Sequence, residues 1–201
     1  SLVGVYKSGA PLGRRASTQI GGDVITRTSD GDIPLSAVIT EGQYTEQSAL
    51  SFKIDGAAKK AAQTYGDNFG WSATHFPQAG WLVMNVPISA TQSVQHVRST
   101  ITGAWCKFEG WNANQFAVFG GNLYFGAKDG AVYKVAGASD NGEFINFTCI
   151  PAYNFLGNPH RKKQVNLVQA FINYGFPKYI DYRVFADFDP FDLPDIPDPP
   201  E

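Results

Sequence analysis

The run TGAWCKFEGWNANQFAVFGGNLYFGAKDGAVYKV, residues 102–135, decides how the chain is read. β-Branched and aromatic residues arrive in short bursts between glycine-bearing breaks, the pattern of antiparallel strands joined by tight turns. Phe116 and Val118 alternate with Ala117 and Phe119, and Leu123 and Phe125 flank Tyr124, which is the two-residue period of a pleated strand. Gly120-Gly121-Asn122 and Lys128-Asp129-Gly130 supply the residues that tolerate the positive φ of such turns. The spacing predicts a meander of strands and no helix.

The same cassette recurs upstream. Gly21-Gly22-Asp23 is followed by Asp30-Gly31 at the interval that separates Gly120-Gly121-Asn122 from Asp129-Gly130, with Val24-Ile25-Thr26 in place of Leu123-Tyr124-Phe125. A weaker copy starts at Gly80, followed by the apolar run Trp81 to Val86 but by no Asp-Gly turn. The step from Gly80 to Gly121, about 41 residues, falls within the blade period of β-propellers.

Between the first and second copies the period changes. From Gln47 to Tyr65, Leu50, Ile54, Ala57, Ala58, Ala61 and Tyr65 recur at steps of three and four, which predicts one amphipathic helix over about 47–65. Asp55 and Lys59 are placed for an ion pair on its outer face, and Gly66 for a left-handed cap. The alanine-rich stripe is expected to cover a sheet edge, the other reading being a neighbouring subunit. Strand character returns from Trp71 to Pro87 and from Gln92 to Ile101, with Pro87 at a strand end where loss of its amide donor is tolerated.

Beyond Asp140-Asn141-Gly142, longer runs at Phe144 to Tyr153, Gln164 to Asn173 and Tyr179 to Phe188 predict a three-stranded antiparallel sheet. The end differs again. Asp189, Asp192, Asp195, Asp198 and Glu201 recur at every third position among Pro190, Pro194, Pro197, Pro199 and Pro200. Such proline density favours polyproline II, whose three-residue turn would align the acids on one edge. That edge is a candidate for docking to a partner, against the equal alternative of a solubilising disordered end. The expected fold is mainly β. Antiparallel, propeller-like blades fill 1–140 around one inserted amphipathic helix, a C-terminal antiparallel sheet spans 141–188, and an acidic, proline-rich tail spans 189–201.

With 201 residues, 43% of them hydrophobic, the chain can bury a proper core. No apolar run approaches about 18 residues, so no membrane span is expected, and no secretory pattern is visible at the N-terminus. A net charge of −2 argues against a surface built to grip DNA phosphates. Cys106 and Cys149 are the only cysteines; both lie in strand-like runs and are expected as buried thiols rather than a disulfide.

Catalytic chemistry finds little support. His75, His96 and His160 have no metal-ligand spacing, and there is no nucleophile elbow, phosphate loop, dinucleotide fingerprint or Cys-x-x-Cys. Glu41, Glu46, Glu109 and Glu143 are the carboxylates a glycosidase could recruit, and none has a catalytic context. No enzyme activity, cofactor or metal is expected. Arg14-Arg15 fits phosphate oxygens, but pairing with carboxylates between blades is the simpler reading. Ser29-Asp30-Gly31-Asp32 begins like a calcium loop without its later ligands and reads as a turn. His160-Arg161-Lys162-Lys163 reads as a solvated loop end, and Asn146-Phe147-Thr148 as a coincidental glycosylation pattern. Trp71, Trp81, Trp105 and Trp111 fall beside turns or strand starts, where filling space between sheets outweighs sugar stacking; Trp81 and Trp111 are the stacking candidates.

Several words of the chain together resemble a known family. Gly13-Arg14-Arg15, Gly21-Gly22-Asp23, Ile33-Pro34-Leu35-Ser36, Thr64-Tyr65-Gly66-Asp67-Asn68-Phe69-Gly70-Trp71, Thr102-Gly103-Ala104-Trp105-Cys106, Trp111-Asn112-Ala113-Asn114 and Leu123-Tyr124-Phe125-Gly126 occur in order between about Leu12 and Ala170. They are similar to the C-terminal half of a tailed-phage virion protein, a β-propeller-bearing tail protein of the nozzle or tail tubular protein B type. The resemblance implies a structural component of a bacteriophage tail or head-to-tail conduit. Such a part belongs to a homo-oligomeric ring through which double-stranded DNA passes as cargo during ejection. The implied partners are other tail and connector proteins, and the implied location is the virion tail, with assembly in the host cytoplasm. Proteins of this type are longer at the N-terminus, and Ser1 in place of Met favours a fragment. The alternatives are a receptor- or glycan-binding propeller module and, less favoured, a glycoside hydrolase.

Overall fold

The computed structural model describes residues 8–42, 45–137, 139–140, 142, 145–149, 157, 160–167 and 169. The chain divides into two units, Ser1–Ser139 and Asp140–Glu201. The first is built from three antiparallel meanders in chain order: β1 (Ser17–Ile20), β2 (Asp23–Thr28) and β3 (Gly31–Pro34); β4 (Ser72–Phe76), β5 (Trp81–Pro87), β6 (Ser93–Ser99) and β7 (Trp105–Phe108); β8 (Ala113–Phe119), β9 (Asn122–Ala127) and β10 (Val132–Val135). Each cassette glycine does the same job. Gly21 (φ 59°), Gly80 (φ 63°) and Gly120 (φ 54°) each turn the chain between the first and second strands of a sheet. The sheets are mainly antiparallel β as expected, and they do not close on one another.

The first strands of the three sheets are neighbours, with β1 beside β4 and β4 beside β8. Arg15 and Ser72 form a parallel bridge, and the Ala73 N–H donates to the Arg15 carbonyl at 2.8 Å. Sheet two is therefore the middle layer, and β5 shows it. Leu82 and Met84 pack with Ile25 of sheet one, while Val83, one pleat over, packs with Phe116 and Leu123 of sheet three. Two facing cores make every residue from Leu82 to Pro87 buried, so β5 reads as a continuous apolar run with one polar interruption, Asn85. Full burial of such side chains stabilises by about 1.5–3 kcal/mol each.

The segment between sheets one and two departs from the expected single helix. A first helix, α1 (Leu35–Glu41), lies against β2 and β3, buries Val38 and stops at the left-handed Gly42 (φ 73°). Then come 3₁₀ turns at Glu46–Ser48 and Leu50–Ile54, so that within the expected span 47–65 only α2 (Asp55–Tyr65) is α-helical. The break falls at Ala49, whose extended backbone (ψ 134°) lets Ser51 swing its hydroxyl onto the Asp32 N–H at 2.9 Å. That contact satisfies a donor on the free edge of β3, so the segment does cover a sheet edge. The buried stripe of α2 is Ala58, Ala61 and Ala62, with Ala57 exposed; Ala61 meets Trp71 and Val86. Lys59 pairs with Asp55 as expected (3.0 Å) and also with Glu46.

Gly66 is right-handed (φ −54°), not a left-handed cap. Its reason is space, since a Cβ there would lie 2.5 Å from the Ala62 carbonyl oxygen. Cys106 and Cys149 are free thiols as expected, but both are exposed, Cys106 on β7, the outer strand of its sheet, and Cys149 outside any strand. Of the sheet expected over 141–188, the described stretches 145–149 and 162–167 contain no strand, and the remainder lies outside the described residues.

Candidate functional site

Sheets two and three are knitted together by side-chain amides. Asn85 donates to the carbonyls of Gly70 (2.8 Å) and Ala113 (2.9 Å), and accepts from Gln95 Nε2 (2.9 Å), which also donates to the Trp111 carbonyl (2.7 Å). Ser93 Oγ adds a bond to the Ala113 carbonyl. Beside these lies a continuous file of rings. Phe76, Trp81, Phe108, Trp111 and Phe125 follow one another at centroid distances of 5.2–6.3 Å, and Phe125 stacks on Tyr133 at 5.3 Å. Edge and stacked contacts of this kind add about 0.5–1.5 kcal/mol per pair beyond area burial. Trp81 and Trp111, the stacking candidates, thus have their rings against core aromatics. Trp71 is buried with its N–H on the Tyr65 carbonyl (2.9 Å), and Trp105 donates to the Leu50 carbonyl (3.2 Å).

At one end of this seam a cleft of about 390 Å³ opens. Its walls come from four places in the chain: the loop entering β4 (Asp67, Asn68, Phe69), the β5–β6 loop (Ser89, Ala90), Asn114 in β8, and Lys128 after β9. The entry loop is fixed at several points. Asn68 Nδ2 donates to the carbonyls of Pro87 (3.0 Å) and Ile88 (2.9 Å), the Asn68 N–H donates to Tyr65, and Gly70 adopts φ 120°. Held this way, Phe69 stands 87% exposed at the rim. Lys128 closes the opposite side by donating its ammonium to the carbonyls of Ser89 and Gln92; burial pushes its pKa down. Ser89 Oγ accepts the N–H groups of Thr91 (3.2 Å) and Gln92 (3.1 Å). The side chains of Asp67 and Asn114 make no hydrogen bond among the described residues.

A second polar cluster lies between sheets one and two. Arg27 and Asp32, opposite each other on β2 and β3 and both fully buried, form a two-pronged ion pair, with Nη2 to Oδ2 at 2.8 Å. Burial pushes the Asp32 carboxyl up against the pull of Arg27 and, more weakly, Arg98. His96 faces the same layer; burial, with Arg27 and Lys107 nearby, pushes its pKa down to about 4, so the ring is neutral. Its Nδ1, Arg27 Nη1 and Arg98 Nε are buried with no hydrogen-bond partner.

The other candidates do not gather here. Arg14 and Arg15 are exposed and in no ion pair among the described residues, so the expected carboxylate partners are not used; Arg15 contributes its backbone instead. Glu41 accepts from Thr45 Oγ1 (3.0 Å), Glu46 pairs with Lys59 and Glu109 with Lys107, while Glu143 lies outside the described residues. Ser29-Asp30-Gly31 is the β2–β3 turn, and among the described residues no His, Cys, Asp and Glu group could hold a metal. Residues 160–163 and Asn146 are exposed. Asp189, Asp192, Asp195, Asp198 and Glu201 lie outside the described residues. No described helix is long and apolar enough to cross a membrane.

Two stretches singled out for their wording, Asp67 to Phe69 and Trp111 to Asn114, meet at the cleft, but nothing in their spacing announced it. Their convergence comes from the stacking of sheet three on sheet two. No family model, curated protein or solved structure matches the chain.

Proposed function

We propose that this chain is a structural component of a bacteriophage tail or head-to-tail conduit, built from propeller-like blades and assembled into a ring of identical copies around passing DNA. The observation that carries the reading is the stack itself. The first strands of the three short meanders lie side by side, and the interior amides of sheet two reach the next one and the loop that leads into it: Asn85 bonds the Ala113 carbonyl of β8, and Gln95 the Trp111 carbonyl just before it. A blade array has this construction. The in-order family wording from Leu12 to Ala170 gives it a biological setting.

Among the described residues, sheet three has no further sheet stacked beyond it. Sheet three has β10 at its edge, and Phe119 and Val132 stand 79% and 73% exposed. A second copy is the proposed neighbour, because head-to-tail contacts between identical parts generate rings. Immuno-electron microscopy on particles from a lysate of the host carrying this gene tests the proposal. Label at the tail is the expected result, and label absent from every particle overturns it.

A further inference from the structure

We infer that the cleft between the β4 entry loop and Lys128 is a saccharide site, with Phe69 as its stacking platform and Asp67 and Asn114 as its hydrogen-bonding pair. Phe69 is the starting point. A phenyl ring left 87% exposed forgoes the burial that most aromatics find, yet this one is presented by a loop tied to Pro87, Ile88 and Tyr65. Rigid presentation lowers the entropy lost on ligand contact. Beside the ring, the cleft offers a carboxylate that only accepts and an amide that both donates and accepts, neither of them hydrogen-bonded by its side chain among the described residues.

The chemistry selects among ligands. The cation in the wall, Lys128, gives two of its three ammonium donors to backbone carbonyls, and the Asp67 carboxylate shares the cleft, so a phosphate or nucleotide would meet a like charge beside that single cation. No group of metal-binding side chains is present among the described residues. What remains is a flat apolar face next to a neutral amide and an acceptor. That matches a pyranose, which carries axial C–H bonds on one face and a fan of hydroxyls at its rim. A volume of about 390 Å³ lies at the small end for ligand pockets and suits one or two sugar rings. The inference does not depend on the chain being a virion part.

Two-dimensional NMR of the full chain, titrated with a panel of methyl pyranosides, N-acetylglucosamine, lactose and maltose, tests it. At least one sugar should give saturable shifts in the millimolar range, centred on the amides of Asp67 to Gly70 and Asn114. Phe69→Ala should weaken that binding by about tenfold or more, as expected for losing one aromatic face. Asn114→Ala should do the same while leaving the rest of the spectrum in place. Phe69 is exposed, so its truncation leaves the core intact, and an unchanged spectrum verifies this. Absence of saturable binding by the whole panel overturns the inference, as does binding that survives both substitutions. Shifts at the cleft on adding a protein partner but no sugar overturn it in favour of a protein-docking loop.

Discussion

Asn85 and Ala113 are joined across two sheets: the Asn85 side chain, buried in an interior strand of one, donates to the Ala113 carbonyl at the start of the next at 2.9 Å. A polar residue in an otherwise apolar strand is explained by that bond and its twin to Gly70.

Replacing Asn85 by Leu keeps the volume and removes both donors. The Gly70 carbonyl is then left without its Asn85 partner in a half-buried setting, and Gln95 loses an acceptor. A loss of about 1–3 kcal/mol is expected in urea unfolding. Asn85→Asp should be worse than Asn85→Leu, because a buried carboxylate facing two carbonyls is a poorer guest than a methyl group.

The Arg27–Asp32 pair is buried on both sides. Arg27→Met alone strands the Asp32 carboxyl and should cost about 3–5 kcal/mol, whereas the double variant Arg27→Met/Asp32→Leu should recover much of that loss. A double-mutant cycle by chemical denaturation measures the coupling. Additive losses would show that the two side chains do not act as a pair.

His96 sets an acid limit. Its pKa of about 4 in the folded chain lies below the ordinary 6.5, so the unfolded chain binds the extra proton in between. Stability is therefore full above about pH 6.5 and falls as pH drops toward 4, by about 3 kcal/mol from this residue. His96→Phe should flatten the profile over that window. Unfolding midpoints at several pH values, wild type against variant, report the difference.

Two glycines should differ sharply on substitution by alanine. Gly31 combines φ 127° with a Cβ position 2.5 Å from Ser51 Oγ, the atom that accepts the Asp32 N–H. Gly130 has φ 90° but nothing within 4 Å. Gly130→Ala should cost about 1 kcal/mol from backbone strain. Gly31→Ala should cost about 1–3 kcal/mol more by displacing the turn that covers β3. Thermal unfolding of the two variants gives the ranking.

The hairpin turns were legible in the sequence because positive φ leaves a compositional mark: Gly21, Gly80 and Gly120 could be matched before any strand was placed. Gly66 misled, since glycine is also the residue for tight approach and the two uses look identical in one sequence. The break at Ala49 had no marker either. It is imposed from outside, by the demand of the Asp32 amide on β3 for the Ser51 hydroxyl. Asp32 itself read as part of a turn, and its burial against Arg27 is a property of cross-strand register. The cleft was the least legible feature, because Phe69, Asn114 and Lys128 come from segments far apart in the chain. Only the layering of one sheet on another brings them to the same rim.

The middle position of β5 has a mechanical consequence. A strand that serves two cores at once cannot be loosened without loosening both flanks, so the outer meanders have no independent existence once it melts. Backbone amides from Leu82 to Val86 should be the slowest in the unit to exchange with deuterium, and those of β1 and β10 should follow the same global opening rather than fray alone. Load applied at one end of the stack would reach the other through β5 and its neighbour β4, which touches the first strand of each flanking sheet.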